Sequence, residues 1–136
     1  MAHFAWTDDL STGNALIDGD HHKLISMVNA LFDSMARGQA NEIISKVLNN
    51  LIIYTKEHFG REEAEMTRIR YAASISHKSQ HAKLIKQVAE LKVSLDAGKK
   101  INVLEVSSFL SDWLRHHILT VDKQLAAALK EQTQAA

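Results

Sequence analysis

Two short stretches of the chain place metal-ligating side chains at helical spacing. His58 and Glu62 are four residues apart, and His77 and His81 are again four apart, fifteen residues after Glu62. On an α-helix, residues four apart share a face, so each pair can converge on one ion from one helix. Burying imidazoles and a carboxylate is unfavourable unless each is hydrogen-bonded or metal-bound. The stretch from His58 to His81 therefore reads as half of a metal centre inside a helical bundle.

The elements that must carry these residues follow from apolar periodicity. A first helix is expected from an Asp18 N-cap to Gly38, with a stripe of Leu24, Ile25, Val28, Leu31, Phe32 and Met35. That stripe turns His21 inward and leaves His22 at the rim. A second helix is expected over 41–67, carrying Ile44, Leu48, Leu51, Thr55 and Phe59 inward, with His58 two turns after Leu51 and Glu62 one turn beyond. Glu57, Glu63 and Glu65 are expected in solvent or paired with Lys56, Arg61 and Arg68. After a connection over 68–71, a third helix is expected over 73–97, stopped by Gly98. Its face is set by Ile75, Leu84, Ile85, Val88, Leu91 and Leu95, and it turns His77 and His81 inward. A fourth helix begins at Asn102, which with Glu105 fits a capping box. Its stripe through Leu110, Trp113, Leu114 and Val121 puts His117 inside and His116 outside. Asp122 follows His117 by five residues, about 140° round an ideal helix. Both reach one centre if the metal lies between them, or if the helix widens locally to i→i+5.

Composition agrees with long uninterrupted helices. The 136 residues include no proline and five glycines, and no cysteine is available for disulfides, thiolate ligation or a thiol nucleophile. The length fits one domain, expected as an irregular arm over 1–17, a bundle over 18–131 and a tail over 132–136. Phe4 and Trp6 in the arm are expected to lid one end of the bundle. Sixteen basic residues balance sixteen acidic ones, so no nucleic-acid footprint stands out. The start lacks a basic, apolar leader, and no run approaches the roughly 20 apolar residues of a membrane span. The expected compartment is cytoplasmic.

Seven polar groups are thus turned inward: His21, His58, Glu62, His77, His81, His117 and Asp122. Five imidazoles and two carboxylates exceed one tetrahedral zinc site. They suit two six-coordinate metals with the carboxylates bridging, and four facing helices can supply such a pair. Mixed nitrogen and oxygen ligation is compatible with iron, manganese or zinc.

The motifs Trp6…Gly13…Ile17-Asp18-x-x-His21, Tyr54-x-x-x-His58-Phe59-x-x-Glu62-Glu63-x-x-Met66, His77-x-x-x-His81 and Trp113-Leu114-x-x-His117-Ile118-x-x-x-Asp122 resemble those of the hemerythrin family, in its bacteriohemerythrin branch. The resemblance covers nearly the whole chain. It implies an all-α, up-down-up-down antiparallel four-helix bundle with an irregular N-terminal arm. It also implies two non-haem irons that bind dioxygen reversibly. Carried over by motif, His77, His81 and His117 hold one iron, and His21 and His58 hold the other, which keeps an open position. Glu62 and Asp122 bridge them, with an oxo or hydroxo species as third bridge. The resemblance places Phe59, Trp113, Leu114 and Ile118 round the dioxygen. Asp20 departs from the glutamine often found before the first ligand histidine. The connection before His77 lacks the proline common there. The leading reading is a binder rather than an enzyme: a carrier, a store or an oxygen-sensing domain with a fused or partner signalling domain. The alternative is a di-iron enzyme acting on dioxygen, peroxide or nitric oxide.

Overall fold

With no proline to remove a backbone donor, the chain forms helices broken only where glycine or a left-handed turn permits reversal. A computed structural model of the chain describes residues 4–135, with side chains described through 132. Its main elements are α1 (Ala15–Ala36), α2 (Asn41–Arg68), α3 (Ser74–Asp96), α4 (Val103–His116), a π-helical turn (His117–Asp122) and α5 (Lys123–Ala135). The last three run on without a break as the fourth rod of an all-α bundle. The connections are short, which sets successive rods antiparallel. Gly38 and Gly98 follow α1 and α3 with φ of +64° and +78°, a conformation that glycine adopts without a Cβ penalty. Arg70 takes the same role after α2 at φ +54°. There the amide of Tyr71 closes back on the carbonyl of Met66 at 2.9 Å.

Several boundaries differ from the sequence reading for identifiable reasons. α1 begins three residues before Asp18, because Asn14 is the cap, accepting from the Ile17 amide at 3.0 Å. Asp18 instead accepts from the Thr12 amide at 2.9 Å and the Thr12 hydroxyl at 2.7 Å, tying the arm to α1. Asn102 does cap α4, through the Glu105 amide at 3.0 Å. Ile75 is 85% exposed, against the expectation that it faces the core. It lies nine residues before Leu84, which is half a revolution off that stripe.

The arm is a strap, not an end lid. Phe4 exchanges two backbone hydrogen bonds with the Asn29 side chain, at 2.7 and 2.9 Å, and Trp6 stacks on His22 with ring centroids 3.7 Å apart. The arm therefore runs back along α1, and Arg115 of α4 covers the Phe4 ring at 5.2 Å. The core is divided. A large apolar cluster contains Leu24, Val28, Phe32, Leu48, Leu51, Leu84, Val88 and Leu110. A smaller one contains Ile17, Met66, Leu125, Ala126 and Leu129. The inward polar residues lie where the two clusters meet, and α3 adds residues to the large cluster alone. Among the described residues, no helix is long and apolar enough to cross a membrane.

Candidate metal centre

Helical spacing brings all seven inward polar residues to one layer. His21, His58, Glu62, His77, His81, His117 and Asp122 are each at most 3% exposed, whereas the neighbouring His22 and His116 are exposed. The awkward interval from His117 to Asp122 is resolved by the π-helical turn, which spans those same six residues. One extra residue in the turn under-rotates the helix, so both side chains point inward where an ideal α-helix would part them.

The ligand atoms form two overlapping groups. Glu62, His77, His81, His117 and Asp122 bring one atom each within 4.8 Å of one another, and so do His21, His58, Glu62 and Asp122. Both carboxylates belong to both groups, one oxygen to each side. Asp122 Oδ1 lies 3.1 Å from Nε2 of His77 and 3.1 Å from Nε2 of His117, while Oδ2 lies 2.8 Å from Nε2 of His21. Glu62 Oε1 lies 3.1 Å from Nε2 of His81, and Oε2 lies 3.4 Å from Nε2 of His58. Despite these short separations, both oxygens of each carboxylate and Nε2 of His21, His77, His81 and His117 lack an aligned hydrogen-bond partner. Buried polar atoms are rarely left so. Converging lone pairs without hydrogens between them are what cations satisfy, so the residues fit a metal pair.

The charge balance points the same way. Burial opposes ionisation of Glu62 and Asp122, yet the surrounding histidines hold both carboxyls well below the usual carboxylate range. In return, burial opposes a proton on His77, but Asp122 and Glu62 raise it to about 9, and His58 is also raised. His117 is lowered, chiefly by burial. The two carboxylates thus draw positive charge into an otherwise apolar layer.

Three histidines are oriented from their far side, each by a residue adjacent in sequence to a candidate ligand on the preceding rod. Asp20, next to His21, accepts from Nδ1 of His58 at 2.9 Å. Glu63, next to Glu62, accepts from Nδ1 of His81 at 2.9 Å, and Gln80, next to His81, accepts from Nδ1 of His117 at 3.0 Å. Such bonds fix the tautomer that offers Nε2. These three residues escaped the sequence reading. Glu63 pairs with an imidazole rather than with a basic side chain or solvent alone, and Arg61 pairs with Asp20. The signal for them is that a residue 100° from an inward ligand faces the adjacent rod.

Aromatic rings hold the same imidazoles. Phe59 stacks on His81 with centroids 3.6 Å apart and 4° between planes, and Trp113 stacks on His117 at 4.4 Å and 14°. A cavity of about 30 Å³ abuts the layer. His21 and His58 both line it, as do Phe59, Trp113 and Leu114, with Leu24, Val28 and Leu110 toward the large apolar cluster. His117 and Asp122 line it as well, whereas His77 and His81 do not. Ile118 is fully buried in the core but does not line this cavity.

A family model described as Hemerythrin HHE cation binding domain matches residues 12–129. The chain is 36% identical over 130 residues to a bacteriohemerythrin of Pseudomonas paraeruginosa, covering 96% of this chain and 84% of that one. It is 38% identical over 124 residues to a bacteriohemerythrin of Methylococcus capsulatus, covering 90% and 94%. A crystal structure of wild-type hemerythrin superposes with a TM-score of 0.87 at 36% identity, covering 94% of this chain and 98% of that chain.

Proposed function

As the chain belongs to the hemerythrin family, we propose that the buried layer holds two non-haem irons and that the protein binds dioxygen reversibly, as carrier, store or sensor. One observation carries this reading: Glu62 and Asp122 each turn one oxygen to three histidines' side and the other to His21 and His58. A single-ion site needs no such division. His77, His81 and His117 would hold one iron and His21 and His58 the other, with Glu62 and Asp122 shared between them.

Iron held there would supply the redox chemistry that reversible dioxygen binding requires. The rest is done by the chain. Two histidines on one side leave that side a position short, and both of them line the cavity, together with the shared Asp122 and one histidine of the other side, His117. Its volume of about 30 Å³ suits a very small molecule. Phe59 and Trp113 keep their imidazoles from tilting, and Leu114 narrows the space one turn before His117. The only hydroxyl in the lining belongs to Thr55, and it donates to the Leu51 carbonyl at 2.6 Å. Apart from the ligand set itself, no described side chain in the cavity is placed to deliver a proton. Excluding water and protons protects a reversible complex from side reactions. That favours binding over turnover of dioxygen, peroxide or nitric oxide.

Metal analysis after iron-replete expression tests the assignment. Two irons per chain are expected. A reproducible value of one, or stoichiometric zinc, overturns it.

A further inference from the structure

We propose that Asp20 is a positioning residue that sets the donor strength of His58, and that Arg61 and Tyr54 adjust it by competing for the same carboxylate. The inference rests on the assignment of His58 as a ligand of the two-histidine iron. Asp20 gathers four hydrogen bonds. Its Oδ2 accepts from His58 Nδ1 at 2.9 Å and from Arg61 Nε at 3.0 Å. Its Oδ1 accepts from Arg61 Nη2 at 2.8 Å and from the Tyr54 hydroxyl at 2.7 Å. Arg61 therefore grips the carboxylate with both arms of its fork, a charge-assisted geometry that fixes orientation as well as charge.

The other two outer partners are built differently. Gln80, behind His117, is a neutral amide. Glu63, behind His81, is a carboxylate with no basic side chain clamping it among the described residues. Only Asp20 combines a full negative charge with a cation and a phenol that draw on it. A carboxylate accepting from Nδ1–H pushes electron density towards Nε2 and strengthens it as a ligand, which favours the more oxidised metal. Each donor that shares the carboxylate weakens this push. The Asp20 side chain is 18% exposed and Arg61 is 51% exposed, so the competition takes place at the rim, where it can be altered without opening the core.

The sign of the effect separates tuning from simple support. Asp20→Asn keeps an acceptor for Nδ1 but removes the charge, so the midpoint potential of the iron centre rises. Arg61→Gln frees the carboxylate, so the potential falls. Tyr54→Phe also frees it, by less, and does so without changing any formal charge, which distinguishes action through the Asp20–His58 bond from a field acting through space. Asp20→Ala removes the partner altogether and lowers iron affinity by roughly 10–100-fold. The experiment is spectroelectrochemical titration of the iron-loaded wild type and variants, with iron content and melting temperature measured on each sample. Opposite shifts for Asp20→Asn and Tyr54→Phe support the proposal. Equal potentials in the wild type and Asp20→Asn, or shifts of one sign in all three variants, overturn it. A wild type without two irons overturns the metal assignment itself, which the same iron measurement reports separately.

Discussion

The two sides of the buried layer are built by one rule and end in different states. On one side, three imidazoles from α3 and the π-helical turn face Glu62 and Asp122. Two of those rings are locked by stacked aromatics, and two by a partner at Nδ1. On the other side, only His21 and His58 face the same carboxylates, and both line the cavity, which His117 alone reaches from the first side. On the proposed assignment, the first side would have its ligand positions filled by protein and the second would keep room for a guest. The difference teaches that the centre's asymmetry comes from the number of inward histidines per rod. Separate kinds of element are not needed: α3 gives two, whereas α1, α2 and the fourth rod give one each.

The shared carboxylates offer the largest perturbation of this comparison. Glu62→Ala removes a ligand from both sides, and iron per chain is expected to fall from two towards zero. His21→Ala touches only the two-histidine side and is expected to leave the iron of the other side better retained. Parallel metal analysis checks this. Equal and complete loss from both variants would mean that the sides are not separable sites.

Removing iron from the intact protein comes next. Both buried carboxylates then face each other with only histidine protons to offset them. Iron at about 1,000 times its dissociation constant adds about 4 kcal/mol to the native state by linkage. For a chain of this size that is roughly 10 °C or more in melting temperature. Calorimetry of the iron-free and iron-loaded forms should show the gap, and coincident transitions would refute it.

Much of this was legible in the sequence, and the reasons are physical. The five inward histidines could be read because each sits on an apolar stripe, seven residues from a core residue. His21 was separated from His22, and His117 from His116, by that register alone. Asp122 was ambiguous because an ideal helix parts it from His117, and spacing alone does not say that the helix widens there into a π-helical turn. The outer partners Asp20, Glu63 and Gln80 were not legible. Their roles depend on which rod lies beside which, and a charged residue beside an inward one reads as solvated. Ile75 was misplaced because an isoleucine near a helix start was counted into a stripe half a turn away. The arm was misread because nothing in its composition says whether it crosses an end or lies in a groove.

A smaller effect sharpens the guest side. Leu114 is 7% exposed and lines the cavity. Leu114→Ala should retain both irons, admit water and speed decay of the oxygenated absorption in air. If Leu114 is only core, the change should instead cost about 2–5 kcal/mol in stability with the decay rate unchanged. Timed spectra and a melting curve distinguish the two. The smallest effects belong to the exposed histidines. His116→Ala should stay within about 0.5 kcal/mol of the wild type. His22→Ala should lose up to about 1.5 kcal/mol with its Trp6 stack. Iron content should be unchanged in both, and iron loss from His22→Ala matching that of His21→Ala would show the α1 register to be wrong.

The central claim, that one side of the centre is closed by protein and the other takes dioxygen reversibly, is tested most directly by cycling the reduced, iron-loaded protein between air and vacuum while recording its visible absorption. A band should appear with oxygen, vanish on its removal and return over repeated cycles, with two irons per chain throughout. A band that never appears, or a single irreversible conversion with steady oxygen consumption, would contradict it.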